Sequence, residues 1–282
     1  MTIKFYKYHG IGNDYIYFDC FQELLPNPKK LAVQLSDRHF SIGGDGIVLI
    51  LPSKAADAKM RMFNADGSEG KMCGNAIRCV GKYLCDVKGI RKDILTVETR
   101  SGVKTLRSIS KKTTGKKVSN FTVDMGRAIL KPEKIPALFE GESVINHPLI
   151  AGEETFRVTC VSMGNPHCVI FAEDVDEIDL EKIGPLFEKH PAFPEGVNTE
   201  FVQILGRNEF KMRVWERGSG ETYACGTGAC AAAAAAVLNG YADVGSDIIV
   251  RLKGGDLNIN YTDKGVLMTG PAALAFRGEV EI

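Results

Sequence analysis

The chain has 282 residues, of which 44% are hydrophobic and 25% are charged, and 35 Lys and Arg residues balance 35 Asp and Glu residues. This length allows one large core or two ordinary ones, and the zero net charge argues against a nucleic-acid-binding or anionic-membrane-binding protein. No apolar run reaches the roughly 18 residues of a membrane span and residues 1–10 lack a secretion signal, so we expect a cytoplasmic protein.

Apolar residues in the first half alternate or run continuously where we predict strands, and recur at helical spacing where we predict helices. The predicted order is strands 3–8 and 15–21, helix 27–39, strands 46–51 and 59–63, helix 74–87, and a hairpin of strands 94–100 and 103–109. The lysine pairs at 111–112 and 116–117 are interpreted as a solvated turn.

The second half predicts the same order of elements. It begins with strands 155–161 and 168–172, followed by helix 180–189, strands 199–205 and 210–216, an alanine-rich helix from residue 226, and a hairpin turned at 253–255. Pro132 and Pro136 indicate a connection over residues 126–142. Residues 268–282 have strand character and are expected to cross back to the first half.

One fixed offset relates the two halves. Cys73 and Cys225 are 152 residues apart (225 − 73 = 152), and the same offset relates Asn13 to Asn165. A duplicated domain explains this repeat. We therefore predict an α/β or α+β fold with two pseudo-symmetric domains, residues 1–125 and 126–267. Each should be a curled, mostly antiparallel sheet wrapped around the helix after its cysteine, with the ligand between the copies.

Each of these cysteines precedes a predicted helix. The second helix contains six consecutive alanines at 231–236, and a helix without a polar face must be enclosed by protein. Small residues at its start leave backbone N–H groups accessible to an anion. A thiol at that position is expected to have its pKa lowered from about 8.5 by the helix end.

The other cysteines do not form a recognisable metal or disulfide pattern. The spacings from Cys73 to Cys79, from Cys79 to Cys85 and from Cys225 to Cys230 differ from the closely spaced pairs of zinc sites. A cytoplasmic chain of this size does not need a disulfide framework. We predict no metal, and interpret the remaining cysteines as small buried hydrophobic residues.

Two cysteines related by internal symmetry suit the inversion of a stereocentre. A base removes the α-hydrogen from one face of the carbon, and an acid returns a proton to the other face. Backbone N–H groups from two helix ends could stabilise the carbanion charge on an adjacent carboxylate, so no pyridoxal-type electron sink is required.

Several segments together resemble the diaminopimelate epimerase family. They are His9-Gly10-Ile11-Gly12-Asn13-Asp14, Phe63-Asn64-Ala65-Asp66-Gly67-Ser68-Glu69, Met72-Cys73-Gly74-Asn75, Gly164-Asn165-Pro166-His167, and Trp215-Glu216-Arg217-Gly218-Ser219-Gly220-Glu221 with Ala224-Cys225-Gly226-Thr227-Gly228. The resemblance spans nearly the whole chain. It implies a cofactor-independent epimerase that converts LL-2,6-diaminopimelate to the meso form in lysine and peptidoglycan synthesis, as a cytoplasmic homodimer.

The resemblance also implies roles for individual residues. Cys73 and Cys225 match the two catalytic bases, and His167 and Glu216 match positions that tune the thiols. The substrate-binding positions implied by the match are Asn13, Asn64, Gly74, Asn75, Asn165, Asn198, Glu216, Arg217, Gly226 and Thr227. Gly46 stands where many relatives have Gln, and we expect this difference to have a small effect.

Other charged residues receive a structural interpretation. Glu69 and Glu221, four residues before the cysteines, are expected to brace the turns. Asp37 and Arg38 are interpreted as a local pair. Arg217 is expected to bind a carboxylate through two parallel hydrogen bonds.

Two alternatives remain open at this point. A proline-type racemase has a similar architecture and paired cysteines, but its substrate would leave Asn64, Asn198, Glu216 and Arg217 without a partner. An amino-acid-binding or redox-sensing module would not need two symmetry-related cysteines.

Overall fold

A computed structural model describes residues 1–109 and 120–282 of the chain. The lysine pairs at 111–112 and 116–117 lie outside the described residues. Within the described part, the chain divides into two compact units. Unit 1 comprises Met1–Asp124 and Thr269–Ile282, and unit 2 comprises Met125–Met268.

The first elements of the chain are strands β1 to β8 with two helices between them. They are β1 (Thr2–Gly10), β2 (Asn13–Asp19), α1 (Pro28–Ser36), β3 (Gly46–Leu51), β4 (Ala58–Asn64), β5 (Glu69–Gly70), α2 (Gly74–Asp86), β6 (Ile94–Thr99), β7 (Gly102–Ile109) and β8 (Asn120–Gly126).

The remaining elements follow the same plan. They are a short 3₁₀ turn (Pro132–Lys134), β9 (His147–Ala151), β10 (Glu154–Ser162), β11 (Pro166–Ala172), α3 (Leu180–Glu188), β12 (Asn198–Gly206), β13 (Glu209–Glu216), β14 (Gly220–Glu221), α4 (Gly226–Leu238), β15 (Asp247–Leu252), β16 (Gly255–Tyr261), β17 (Val266–Pro271) and β18 (Ala273–Glu281).

Unit 1 has a sheet that is covered by helices on both faces. β1 pairs antiparallel with β2 and with β18, β2 runs parallel to β3, and β3 pairs antiparallel with β4. Side chains alternate between the faces of a strand. Phe5 and Ile16 therefore pack in the α1 core, whereas Tyr6 and Tyr17 contact α2 on the other face.

Unit 2 repeats this pairing pattern. β10 pairs antiparallel with β11, β11 runs parallel to β12, and β12 pairs antiparallel with β13. Helix α3 packs against Trp215, so closely that a Cβ on Gly184 would lie 2.3 Å from the indole ring. On the other face lies α4, whose residues Ala231 to Ala236 are all buried.

The internal offset holds for whole elements. Adding 152 to the bounds of α1, α2 and β1 gives the bounds of α3, α4 and β10. The predicted α+β class with duplicated, mostly antiparallel halves is confirmed. Helix α4 contacts strands β10, β11, β12, β13, β15 and β16, which is the enclosure that its alanines require.

Some predicted bounds were wrong for identifiable reasons. Helix α1 ends at Ser36 rather than at His39, because Asp37 is extended and its Oδ1 accepts the backbone N–H groups of His39 and Phe40. Such local side-chain bonds compete with a helix. Residues 268–282 do not form one strand. They contain the end of β17 and all of β18, which pairs with β1.

Within residues 1–109 and 120–282, none of the helices is long and apolar enough to cross a membrane.

Candidate active site

Cys73 and Cys225 are the N-cap residues of helices α2 and α4. Both have extended backbone angles, and both sulfur atoms accept a backbone N–H from the first helical turn. The donor is Ala76 at 3.5 Å from Cys73 Sγ and Gly228 at 3.3 Å from Cys225 Sγ. An N-cap side chain satisfies one of the N–H groups that a helix start leaves unpaired. The internal repeat thus places both thiols in the same local geometry.

In unit 1, Cys73 lies against the side chain of Asn13. The Cys73 thiol donates to Asn13 Oδ1 over 3.4 Å, and Asn13 Nδ2 donates to Asp45 Oδ2 over 2.7 Å. Because the amide group of Asn13 donates to Asp45, its oxygen points at the sulfur. This hydrogen bond exists only while the Cys73 thiol keeps its hydrogen.

Asp45, which accepts the hydrogen bond from Asn13, belongs to a network of charged side chains. Asp14 pairs with Lys7 at 2.6 Å and with Arg38 at 2.6 Å, and Arg38 also reaches Asp45 at 2.9 Å. Burial raises the pKa of Asp14, but hydrogen bonds from Arg38 and Lys7 outweigh it, so that this pKa lies below its ordinary value. The predicted local pair of Asp37 with Arg38 is wrong, since Arg38 binds carboxylates of β2 and the loop before β3.

Gly74 and Asn75 form the first turn of α2, as predicted. Asn75 is buried and Arg78, one turn later in α2, has no exposed surface. Arg78 Nη2 donates to Asn75 Oδ1 over 2.9 Å, and Nη1 donates to the Gly74 carbonyl oxygen over 3.2 Å. Arg78 Nε donates to the carbonyl oxygen of Pro271 near the chain's C-terminal end. Sequence reasoning missed Arg78, which fixes the start of α2.

Asn64 and Gly46 are paired in the register of β4 and β3. Asn64 Nδ2 donates to Ser68 Oγ over 3.0 Å at the turn that follows β4. A Cβ at Gly46, whose φ is +152°, would lie 2.0 Å from the carbonyl oxygen of Phe63. This backbone therefore has no room for a side chain at position 46, and the expectation that glycine in place of glutamine has a small effect stays a prediction.

In unit 2, a chain of polar side chains leads to Cys225. His167 Nε2 lies 3.0 Å from Asn165 Oδ1, and Asn165 Nδ2 donates to Thr227 Oγ1 over 3.3 Å. Thr227 Oγ1 lies 3.5 Å from Cys225 Sγ. Thr227 and the preceding Gly226 form the first turn of α4. The structure therefore brings together five residues that were predicted separately from two distant segments.

Glu200 was missed by the sequence analysis. It lies in β12 with no exposed surface, and its Oε1 is 2.7 Å from His167 Nδ1, which is also fully buried. In a strand, Glu200 shares one face with Val202 and Ile204, and a carboxyl group on an apolar strand face was the sequence signal that could have identified it.

Asn198 and Arg217 are joined at the ends of neighbouring strands. Asn198 Oδ1 accepts the backbone N–H of Arg217 over 3.0 Å, and Asn198 Nδ2 donates to the carbonyl oxygen of Pro166. Arg217 Nη1 donates to the carbonyl oxygen of Glu195 over 2.6 Å, which positions its exposed guanidinium. Glu216 Oε1 accepts a hydrogen bond from Thr222 over 2.5 Å.

The expected lowering of the thiol pKa is wrong for Cys225. Burial raises the pKa of Cys225 well above the ordinary value, and the negative charge of Glu216 raises it further. Hydrogen bonds from Thr227 and from the Gly228 N–H lower it, but they do not offset the loss of water. The surroundings of Cys225 therefore favour the protonated thiol over the thiolate.

Glu69 and Glu221 brace the turns before the two helices, as predicted. Glu69 pairs with Arg61 at 2.8 Å and Glu221 pairs with Arg213 at 2.9 Å, and the offset of 152 relates these two ion pairs. The arginine hydrogen bond lowers the pKa of each carboxyl group. Each glutamate therefore ties the short strand before its cysteine to the preceding strand, β4 or β13.

All eight cysteines are free thiols. Within residues 1–109 and 120–282, no group of three His, Cys, Asp or Glu residues is arranged to hold a metal ion.

A sequence model of the family described as "Diaminopimelate epimerase" matches residues 5–131 and 159–275. Among similar proteins with that name, one from Methanococcus maripaludis is 54% identical over 282 residues, covering 99% of this chain and 100% of the relative. Another, from Acetivibrio thermocellus, is 52% identical and covers 99% of both chains.

Solved structures with the same architecture are more distant in sequence. A phenazine biosynthesis protein of the PhzF family from Bacillus anthracis has a TM-score of 0.72 at 17% identity and covers 100% of both chains. A hydroxyproline epimerase from Agrobacterium vitis, solved with bound trans-4-hydroxy-L-proline, has a TM-score of 0.69 at 14% identity, over 99% of this chain and 92% of the other. At these identities the likeness establishes the fold.

Proposed function

The chain belongs to the diaminopimelate epimerase family, and from this premise we propose that Cys73 and Cys225 are the two acid–base groups of its reaction. Members of this family convert LL-2,6-diaminopimelate to the meso form, and this chain carries out that conversion. Inversion of the α-carbon requires one group to remove hydrogen from one face and another group to deliver it to the opposite face. The proposal requires that both sulfur atoms reach the same α-carbon.

The observation that carries the proposal is the equivalent N-cap geometry of the two thiols. Each sulfur accepts an N–H from its own helix, so each is held beside backbone donors. The first-turn residues that follow each cysteine, Gly74 with Asn75 and Gly226 with Thr227, are proposed to bind the reacting carboxylate. Donors at a helix start favour an anion, and they stabilise the charge that moves onto the carboxylate when the α-hydrogen leaves.

The polar residues around the thiols are proposed to bind the rest of the substrate. Diaminopimelate carries two amino groups and a second carboxylate, so it needs more polar partners than a substrate with a single polar head. The proposed set is Asn13, Asn64, Asn165, Asn198, Glu216 and Arg217. Arg217 suits the distant carboxylate, because its planar group can donate two parallel hydrogen bonds.

His167 and Glu216 are proposed to tune the thiols rather than to transfer the proton themselves. Glu216 raises the pKa of Cys225 through its charge, and His167 is linked to Cys225 through Asn165 and Thr227. The productive protein holds one thiol and one thiolate. Ionisation of either sulfur, followed by proton removal from the substrate, leaves the second thiol to protonate the opposite face.

We further propose that the reaction proceeds without pyridoxal phosphate or metal, and that the protein is a cytoplasmic homodimer. The first part is supported by the acid–base pair, which is chemically complete without an electron sink. It is tested by dialysis against EDTA and by treatment with hydroxylamine, both of which should leave the rate unchanged. Light scattering on the purified protein tests the dimer.

The proposed function is tested by isotope exchange. The protein is incubated in heavy water with LL-diaminopimelate and, separately, with L-proline. Deuterium should enter the α-carbon of diaminopimelate together with formation of the meso isomer, and proline should remain unlabelled. Labelling of proline at a comparable rate would contradict the proposed substrate class.

A further inference from the structure

We propose that Glu200 is a positioning residue, which shares one proton with His167 and thereby fixes the direction of the hydrogen-bond chain that ends at Cys225. This inference rests on the proposed role of Cys225. Glu200 has no exposed surface and cannot touch the substrate, so its effect must pass through other residues.

The hydrogen-bond partners of His167 indicate which of its ring nitrogens carries a hydrogen. Asn165 Nδ2 donates to Thr227 Oγ1, so Asn165 turns its oxygen toward His167 Nε2 at 3.0 Å. An amide oxygen only accepts hydrogen bonds, and therefore Nε2 carries a hydrogen. On the other side of the ring, Nδ1 lies 2.7 Å from Glu200 Oε1, and a contact this short needs one proton between the two atoms. A bare Nδ1 against a carboxylate would place two lone pairs together.

The pair of Glu200 and His167 consequently has no net charge. The shared proton makes it either a neutral acid beside a neutral ring or a carboxylate beside an imidazolium. Among the described residues, no group donates to Glu200 Oε2, which is fully buried. A buried carboxylate oxygen without a partner is costly, which favours the neutral acid. Burial correspondingly raises the pKa of Glu200.

The fixed hydrogen on Nε2 sets the orientation of each later link. It holds the Asn165 oxygen toward His167, so the amide N–H group must face Thr227. Because Thr227 Oγ1 accepts that hydrogen bond, its own hydrogen can point to Cys225 Sγ at 3.5 Å. Reversing the tautomer of His167 would turn the amide of Asn165, and Thr227 would then donate to Asn165 instead of to Cys225.

The internal repeat shows that this arrangement was built into one half only. Subtracting 152 from Glu200, His167 and Gly228 gives Val48, Tyr15 and Ala76 in unit 1. A Cβ on Gly228 would lie 2.6 Å from Glu200 Oε1. The half with the glutamate has glycine at the helix start, whereas the half with valine has alanine. Positions 200 and 228 therefore both differ between the halves. This is expected if the absence of a side chain at Gly228 leaves the space that the Glu200 carboxyl group occupies.

The first test measures the tautomer directly in the unmodified protein. The protein is labelled with ¹⁵N-histidine, and the His167 signals are assigned by comparison with His167→Gln. We expect a slowly exchanging hydrogen on Nε2 at neutral pH. A bare Nε2 nitrogen in the wild-type spectrum would overturn the proposal without any assay of activity.

The second test uses two variants of matched length. In Glu200→Gln, the amide N–H can donate to Nδ1 and keep hydrogen on Nε2, so kcat should stay within about threefold of wild type. In Glu200→Met, the side chain at position 200 forms no hydrogen bond with His167 Nδ1, so the tautomer of His167 is no longer fixed. The value of kcat should then fall by about tenfold or more, while KM changes by less than about twofold. Gln203→Met, in the same strand, is the control and should retain full activity.

The variants also separate positioning from packing. The Met variant should show the second tautomer of His167 in its ¹⁵N spectrum, whereas the Gln variant should not. Equal kcat values for the two Glu200 variants, or a Met variant with the wild-type tautomer and a normal rate, would contradict the proposal. If the Met variant does not fold, the proposal is still tested by the position of the hydrogen in the wild-type spectrum and by the kcat of the Gln variant. Activity in Cys225→Ala would refute the proposed function instead, and the wild-type tautomer would be unaffected.

Discussion

Arg78 Nη2 donates to Asn75 Oδ1 over 2.9 Å inside helix α2, and neither residue is accessible to more than a trace of solvent. Arg78 also binds the carbonyl oxygens of Gly74 and Pro271. Replacing a buried side chain that serves several acceptors removes one hydrogen bond from each of them. The start of α2 therefore depends on a residue one turn inside the helix.

Arg78→Met should lower the free energy of unfolding by about 2 to 4 kcal/mol, because buried acceptors lose their donor. Urea unfolding followed by circular dichroism measures the change. Arg91→Met, at an exposed position after α2, is the control and should change the free energy by less than about 0.5 kcal/mol. A loss at Arg78 no larger than at Arg91 would contradict the assigned role.

Cys73→Ala and Cys225→Ala should each abolish epimerisation, because each removes the group proposed for one face. Groups that act as a unit are not additive, so the double variant should be scarcely worse than either single variant. Calorimetric binding of the substrate should persist in all three. Cys85→Ala, in helix α2 but outside the first turn, is the matched control and should keep its rate. Turnover in either alanine variant above about one-tenth of wild type would remove that cysteine from the mechanism.

The value of kcat/KM should rise with pH from neutral pH and should still be rising above the ordinary thiol pKa of about 8.5. The profile reports the free protein, in which burial and the Glu216 carboxylate hold the pKa of Cys225 above its ordinary value. The Cys73 thiol meanwhile donates its hydrogen to Asn13. Raising the pH therefore forms the Cys225 thiolate that the reaction needs.

Glu216→Gln should move this rising limb to lower pH, because it removes a negative charge that raises the pKa of Cys225. The position of the limb is the readout, independent of any loss in the maximal rate. Glu209→Gln, which alters a surface ion pair with Arg251, serves as the control. An identical limb in wild type and in Glu216→Gln would show that this carboxylate does not set the ionisation.

Gly46→Ala should destabilise the protein by at least about 2 kcal/mol, because the added Cβ would lie 2.0 Å from the Phe63 carbonyl oxygen at a φ of +152°. Thermal unfolding at several protein concentrations measures the effect. Gly206→Ala is the control, since a Cβ there would have no atom within 4 Å. A Gly46→Ala protein as stable as this control would mean that the backbone adjusts freely.

Much of the fold was predictable because local pattern and internal repeat agree. Strand β3 and the starts of helices α2, α3 and α4 occur where the periodicity placed them. Strand β9 was missed because only two of its five residues are buried, so it has little apolar pattern. The early end of α1 depends on a side-chain bond of Asp37 that competes with the helix, and apolar spacing does not report such a bond.

The candidate site was predicted at the positions that the family motifs contain, and the roles of those residues stay predictions. The residues that support those positions were not predicted, because their partners are distant in sequence. Arg38 binds Asp14 across 24 residues, and Glu200 meets His167 across 33. The predicted lowering of the Cys225 pKa was wrong for a related reason. The sequence shows that the cysteine precedes a helix, but it does not show that folding buries the sulfur away from water.

The close approach of Gly228 to Glu200 also determines which substitutions the two positions tolerate together. An added Cβ at position 228 would lie 2.6 Å from Glu200 Oε1. In unit 1 the equivalent positions hold Ala76 and Val48, a pair in which no carboxyl group faces the added methyl group. Because residues in contact do not contribute independently to stability, the effects of substitutions at positions 200 and 228 should be non-additive.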